Sequence, residues 1–522
     1  MSRSSISLFR SPFVAVQGEA AKMLSAVQEA FARHEETLRR LLLLTVLYLI
    51  LQLQAMLPIL DPDIWWHLRT GQWIVEHGTF PTTDLFSSYG MGKPWIAYSW
   101  LFEVLVYSLY QMFGLVGLVL YTVLLSVLIT AALHALVRKL VPHFASEVVL
   151  TVLGLISLGP LMSPRPWLFT ILFFIIELDL LLAARQSGDS RRLWLLLPLF
   201  ALWANVHIQF VYGLLVLGLA TAEPLIERLL RRFQIESDAK TVPFGRLLLV
   251  TTACAVATLV TPYHLHLYRT LIEISRQTGQ FQYISELASL PFRGPSDWFV
   301  LAVTLGATFS LGWRREIQPF PLFLLAAGAF LSFRARRDAW FVAIAAVTII
   351  ATFRSTDAVV DRFTLTKLRA LLLAGAVVIM LVIVGWVRHL SERRLESALA
   401  KAYPVAAAAV VEARGYPGPL YNHFDWGGYL IWRLPHLPVA WDGRTNLYGD
   451  ARSEHFARTW EGQHDWAADP ELSAARLVIA NLNSPLASLL RLDSRFERVY
   501  EDKVAVIFVA RSQPEGQEAV NS

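Results

Sequence analysis

Apolar residues in this chain come in long blocks that hold few charges, at 41–60, 115–137, 147–162, 166–184, 193–206, 209–226, 247–262, 298–312, 319–333, 338–353 and 370–387. A block of about 20 apolar residues is what a helix needs to cross a bilayer core, where every backbone amide must bond within its own segment. The pattern predicts eleven spans, several shorter than that length. The stretch 100–113 is less uniform and reads as an amphipathic helix at the interface; counted as another span, it would invert everything downstream. After 389 the blocks cease. An Ala-rich helical sequence runs to Gly415, followed by strand-like segments at 429–434, 476–480 and 504–509 and a helical pattern at 486–492. This alternation predicts a small α/β domain.

Lys and Arg give the direction. Arg39 and Arg40 precede the first block, which starts too late, runs too long and lacks the small-residue site of a cleaved signal peptide. With a cytoplasmic N-terminus, alternate loops hold Arg138 and Lys139; Arg185, Arg191 and Arg192; Arg228, Arg231, Arg232 and Lys240; Arg314 and Arg315; and Arg354, Arg362 and Lys367. That is the positive-inside pattern. The expected organisation is a cytoplasmic N-terminal segment at 1–40, a membrane domain at 41–389 and an extracytoplasmic domain at 390–522. Residues 20–40 suit either an amphipathic helix on the inner surface or a solvated helix.

Composition agrees with a bilayer. Hydrophobic residues make up 55% and charged residues 17%, and mean hydropathy is +0.47; a soluble chain has about 25% charged residues. The net charge of +5 divides into −3 from residue 390 onward and +8 before it. The basic excess therefore belongs to membrane loops, and a nucleic-acid partner is not expected. The single Cys254 excludes an intramolecular disulfide.

The chemistry gathers on one face of this topology. The first external loop, 61–99, opens with Asp61, Pro62, Asp63, Ile64, Trp65, Trp66, His67, Leu68 and Arg69. Two carboxylates one residue apart can hold a divalent cation or supply a general base, and tryptophans suit both an interface and a sugar ring. An Asp-Pro helix cap beside an aromatic belt accounts for the same letters. His67 and Arg69 can steady a leaving group; His67, four residues on, can equally pair with Asp63. Arg165 and the cluster Arg334, Arg336 and Arg337 run against the charge trend. The cluster suits a phosphate or a snorkelling helix end alike, whereas Arg165 reads as an anchor. Gly427 and Gly428 beside Trp426 fit a close approach to a ligand or a tight turn. Asp442, Gly443 and Arg444 fit a turn stapled by an ion pair, or substrate contact. No Ser-His-Asp or Cys-His set, zinc spacing, phosphate-binding glycine loop or internal repeat is present in the sequence.

An acidic pair just beyond the first membrane helix, leading into an aromatic-aromatic-His-x-Arg pattern, resembles the membrane glycosyltransferases of the GT-C fold, with the nearest likeness to the oligosaccharyltransferase catalytic subunit. Ile284, Ser285 and Glu286 resemble a short external-loop element of that family. Phe424, Asp425, Trp426, Gly427, Gly428 and Tyr429, followed by Trp441, Asp442, Gly443, Arg444, Thr445 and Asn446, resemble its Trp-Trp-Asp region and the stretch after it. Phe424 stands for the first Trp, Asp and Trp are exchanged, and the second acidic pair of that family is missing around 163–167.

The resemblance implies a polytopic GT-C-like membrane protein with a C-terminal extracytoplasmic α/β domain. It further implies transfer of a sugar from a polyprenyl phosphate or diphosphate carrier to a glycan, lipid or protein acceptor. It makes Asp61, Asp63 and Glu286 the catalytic and metal-binding acids, holding magnesium or manganese. Substrate contacts are expected from His67, Arg69, Arg334, Arg336, Arg337, Asp425, Trp426, Asp442 and Arg444. The setting expected is a bacterial inner membrane. Competing classes are a transporter for lipid or anionic solute and a non-catalytic assembly protein. A transporter is disfavoured by the scarcity of charge inside the blocks, chiefly Glu177 and Asp179.

Overall fold

The computed structural model describes residues 34–235, 242–279, 284–313, 317–353 and 360–511. Residues 1–33, Lys240, Arg314, Arg315 and Arg354, which entered the topology above, lie outside the described residues.

Every predicted span coincides with a helix. In chain order these elements are α1 (His34–Ala55), α2 (Ile64–His77), α3 (Trp100–Leu140), α4 (Phe144–Leu158), α5 (Trp167–Ser187), α6 (Leu196–Val206) and α7 (Phe210–Arg232). They continue as α8 (Phe244–Ala257), α9 (His266–Arg276), α10 (Pro295–Gly312), α11 (Pro319–Arg334), α12 (Ala339–Phe353) and α13 (Lys367–Val387). Among the described residues, six helices are long and apolar enough to cross a membrane unaided. The chain is a polytopic α-helical membrane protein with a small C-terminal α/β domain. The helices are apolar on most faces because some sides meet lipid and others meet helices. In α12, Trp340, Phe341, Val342, Ile344 and Val347 are all fully buried, which places this helix at the centre of the bundle.

The interfacial segment is distinct. α3 is broken at Gly114, whose φ of 60° and ψ of −144° lie outside the helical region, so 100–113 and 115–140 are two helices in different directions. The break exposes the first amides of the second half. Glu392 closes them, accepting from Leu115 N at 2.9 Å and Val116 N at 3.2 Å. This carboxylate belongs to the first helix of the C-terminal domain.

That domain contains α14 (Glu392–Leu399), α15 (Val405–Arg414), β1 (Leu420–Asn422), α16 (Gly427–Arg433), α17 (Asp450–Trp460), β2 (Leu477–Asn481), α18 (Pro485–Leu490), β3 (Phe496–Glu501) and β4 (Ala505–Ala510). The sheet order is β1-β2-β4-β3, parallel between β1 and β2 and antiparallel elsewhere. Leu477, Ile479 and Ile507 join the main core, while Val478, Phe508 and Phe456 form a second one. Burial on both faces explains why β2 and β4 read as continuous apolar runs. The expected strand at 429–434 is instead the helix α16. Its aromatic and β-branched letters mimic a strand, but the two leading glycines let a helix dock where side chains would collide, as shown below. β1 and β3 were not anticipated: β1 has three residues, and β3 is amphipathic and charged.

Candidate active site

Asp61, Pro62 and Asp63 connect α1 to α2. Asp63 occupies the N-cap position of α2, yet its side chain makes no capping bond. Asp61 Oδ1 instead accepts from Asp63 N at 3.0 Å, which tightens the turn and leaves the Asp63 carboxylate pointing elsewhere.

Both acids meet Arg165. Its Nε donates to Asp61 Oδ2 at 2.6 Å, its Nη1 to Asp63 Oδ2, and its Nη2 to Glu286 Oε2 at 3.4 Å. One planar guanidinium thus serves three carboxylates from two separate segments, a geometry suited to arginine and not to lysine. Arg165 sits between Pro164 and Pro166 ahead of α5. Its carbonyl accepts from Tyr121 Oη at 2.9 Å, and its guanidinium lies 5.0 Å from the Trp167 ring. Burial pushes the Asp63 carboxyl up to about 6, despite the opposing pull of Arg165, and Asp61 and Glu286 add to the rise.

A turn at 336–338 supplies the second cation. Arg336 N and Arg337 N donate to the carbonyls of Ala288 and Glu286, at 2.9 and 3.1 Å, so the turn and the Glu286 segment run together. Arg337 Nη1 lies 3.8 Å from Glu286 Oε1. Asp338 fixes the turn from beneath, accepting from Gln209 Nε2 at 2.9 Å and Tyr212 Oη at 2.8 Å.

The C-terminal domain closes the other side through glycines. A Cβ on Gly443 would overlap the Asp63 carboxylate, and one on Gly428 would overlap the Pro62 carbonyl oxygen. Gly427 likewise leaves room only for the Trp441 carbonyl. The close approach these glycines permit is therefore between two parts of the protein. Trp65 of α2 adds edge contacts to the Tyr403 and Tyr429 rings at 5.9 and 5.3 Å.

Three cavities meet at this cluster. A groove of about 770 Å³ runs among apolar residues of α1, the 159–164 turn and the 290–300 segment, and carries Asp61, Glu286, Arg336 and Arg337 at its polar end. A cavity of about 540 Å³ lies against the C-terminal domain, lined by Asp61, Asp63, Arg165, Glu286, Tyr403, His423, Phe424, Asp425 and Trp426. A hollow of about 110 Å³ between them touches Asp63, His67, Tyr98, Arg165, Glu286 and Arg337. Asp61 lines both larger spaces, and Glu286 lines all three.

Other expected contacts fall elsewhere. His67 is buried and its Nδ1 pairs with Glu103 Oε1 at 3.0 Å rather than with Asp63, although its ring lines the small hollow. Burial holds its imidazole well below the ordinary value, and the Arg165 charge lowers it further. Arg69 donates to Gln72 Oε1 at 2.8 Å and lines none of the three cavities. Arg334 ends α11 and also lines none of them, so the arginine cluster divides. Asp442 and Arg444 are fully buried and line none of the three cavities. Arg444 pairs with Asp442 at 2.7 Å and Asp84 at 2.5 Å, which is the stapled turn rather than a substrate contact. Trp426 lines the second cavity but anchors by donating Nε1 to the Ala402 carbonyl at 3.0 Å. Asp425 is exposed on that cavity.

Sequence reasoning took Arg165 for an anchor, whereas it is the hub of the site. Its signal was present: a Pro-Arg-Pro step at the wrong end of a span. The arrangement also bears on the expected metal. A divalent cation needs oxygens at about 2.0–2.6 Å around one centre, and here Arg165 stands among the three carboxylates. They do not fit such an ion without displacing the guanidinium. Among the described residues, the one His and carboxylate cluster compact enough for a metal is His455, Asp469 and Glu471. Its members are engaged otherwise, Asp469 with Thr459 and Tyr421, and Glu471 with Arg452.

Fold and site together define a polytopic membrane protein whose loops and soluble domain build one acid-and-arginine centre at the mouth of an apolar groove. No family model and no curated protein matches the chain. Among solved structures it is similar to ArnT from Cupriavidus metallidurans bound to undecaprenyl phosphate, at 14% identity over 90% of this chain and 99% of that one, with a TM-score of 0.44. It is similar also to the apo state of that protein, at 15% identity over 90% and 98%, with a TM-score of 0.46. At this distance the chemistry has to be read from the residues themselves.

Proposed function

We propose that the chain is a GT-C-type membrane glycosyltransferase. It moves a sugar from a polyprenyl phosphate carrier to an acceptor hydroxyl on the extracytoplasmic face of a bacterial inner membrane, as a step in building the cell envelope. One observation carries this reading: Asp61 and Glu286 lie on the wall shared by the apolar groove and the interdomain cavity. Two substrates entering from those sides would meet there.

The groove suits the carrier. Its apolar walls accept an isoprenoid chain, and Arg336 and Arg337 stand at its polar end. Arginine forks match phosphate oxygens, and partial burial strengthens the pairing. Two such groups, one of them shared with Glu286, balance the charge of a monophosphate better than that of a diphosphate.

The acceptor hydroxyl reaches Asp61 from the other cavity. As the acceptor oxygen attacks the anomeric carbon, its proton passes to the Asp61 carboxylate. The bond from the anomeric carbon to the phosphate oxygen breaks, and the electron pair leaves with the phosphate between Arg336 and Arg337. Arg165 holds Asp61 and Asp63 in place and occupies the position that a divalent cation would otherwise take.

Purified protein given labelled sugars on polyprenyl phosphate, with membrane extract as the acceptor source, tests this. Wild-type protein should label a product, and Asp61→Asn should lower the rate by about 10²–10⁴-fold, as for loss of a general base. Absence of transfer, or transfer indifferent to that change, refutes the assignment.

A further inference from the structure

The interdomain cavity continues into a neighbouring hollow of about 290 Å³ that shares Ile284, His423, Phe424 and Asp425 with it and adds Trp441, Thr445, Ser453, Trp460 and Glu461. Its lining differs from that of the groove in charge and in character. Arg165 is the only cationic side chain among the described lining residues of the two spaces, and three carboxylates already engage it. Against it stand Asp61, Asp63, Glu286, Asp425 and Glu461, a formal balance of −4. A phosphate, carboxylate or sulfate entering here would meet repulsion with no free partner. The anion-holding residues, Arg336 and Arg337, are in the other compartment.

Aromatic rings face the same hollow. Phe424 and Trp441 have centroids 4.7 Å apart, and Trp460 lies beside them. Trp460 is 6% exposed, and its buried Nε1 has no hydrogen-bond partner among the described residues. A ligand with an apolar face and hydroxyl groups suits this lining, and neutral hydroxyl or amide groups of Thr445, Ser453 and Asn481 complete the wall.

We infer that the acceptor is the uncharged, hydroxyl-bearing end of a carbohydrate, seated in the hollow that Phe424, Trp441, Trp460, Asp425 and Glu461 line together. Ring faces pack on the C–H side of a pyranose, and carboxylates accept from its hydroxyls. The inference rests on the transferase reading, since it names the acceptor for that same centre. Its test nevertheless needs no turnover.

Full-length protein in nanodiscs, without donor, would be examined by saturation-transfer NMR against maltotriose, mannotriose, triacetylchitotriose and the anionic trigalacturonate. At least one neutral trisaccharide should bind and trigalacturonate should not. Phe424→Ala, at a half-buried position, should weaken that binding roughly tenfold, the equivalent of about 1.4 kcal/mol for one aromatic contact. The double variant Asp425→Asn, Glu461→Gln should admit trigalacturonate. Binding of trigalacturonate to wild type as well as any neutral sugar, binding of none of the four, or a signal indifferent to Phe424→Ala overturns the inference. Saccharide binding with no transfer from any lipid-linked donor would instead sink the transferase reading alone.

Discussion

Replacing Arg165 by glutamine tests the centre of the structure most directly. The guanidinium is 9% exposed and meets side chains of Asp61, Asp63 and Glu286 that are 8%, 13% and 28% exposed. Glutamine retains some length and a donor but no charge, so three crowded carboxylates would keep only Arg337, 3.8 Å from Glu286, as a cation. Breaking a buried pair by removing one partner costs about 3–5 kcal/mol, because the charge left behind is uncompensated. The three acids cannot all stay ionised, and proton uptake caps the loss. Arg165→Gln should therefore be destabilised by about 3–5 kcal/mol near pH 7.5, and the deficit should shrink as pH falls towards 5. Thermal unfolding of detergent-solubilised protein at several pH values, followed by tryptophan fluorescence, measures this. Arg165→Lys should recover part of the loss, since the ammonium restores charge without the fork. A deficit that is absent, or equal at every pH, would refute the idea that Arg165 neutralises the acids.

Further consequences can be measured independently. The Asp63 carboxyl sits at about 6 instead of 3.8. Its folded pKa is raised, so its contribution to stability is full below the unfolded value and is lost as pH rises through about 6. If the proposed transfer needs the ionised form to hold Arg165, its rate climbs over the same interval; a rate profile flat from pH 5 to 7, or one unchanged in Asp63→Asn, contradicts this. Gly443→Ala should cost about 1–3 kcal/mol by overpacking and displace Asp63, whereas Gly218→Ala, where a Cβ meets nothing within 4 Å, should be nearly neutral; equal behaviour in unfolding assays would count against the glycine contact. Arg444→Met should cost about 3–5 kcal/mol, because it strands Asp84 and Asp442 in a fully buried site. Proteolytic nicking of the C-terminal domain reports that loss.

Much of the membrane fold was legible because lipid makes the signal one-dimensional. A block of apolar letters must become a helix, so each predicted span coincides with one, and the Gly114 break falls between the interfacial stretch and the span after it. Legibility ended where one residue's role is decided by residues far away. His67 faced Asp63 at helical spacing, but its partner is Glu103 on another helix. The Arg444 turn was readable as a staple, yet the second partner, Asp84, lies 360 positions earlier. α16 was misread as a strand because Tyr429 to Arg433 carries strand-like letters, and the reason for the helix is the proximity of Pro62 and Trp441 to Gly428 and Gly427. Asp61, Asp63 and Glu286 were found as a set of acids, but nothing local to Arg165 says that all three converge on it.

The Glu392 carboxylate, bonded to the amides exposed at Gly114, joins two parts that composition alone would separate. Severing the chain near residue 390 would leave an uncapped helix start inside the bundle and an orphaned acid on the released piece. The soluble quarter and the embedded two thirds therefore act as a single cooperative body. Dissecting the protein into conveniently expressible halves would destroy the object under study.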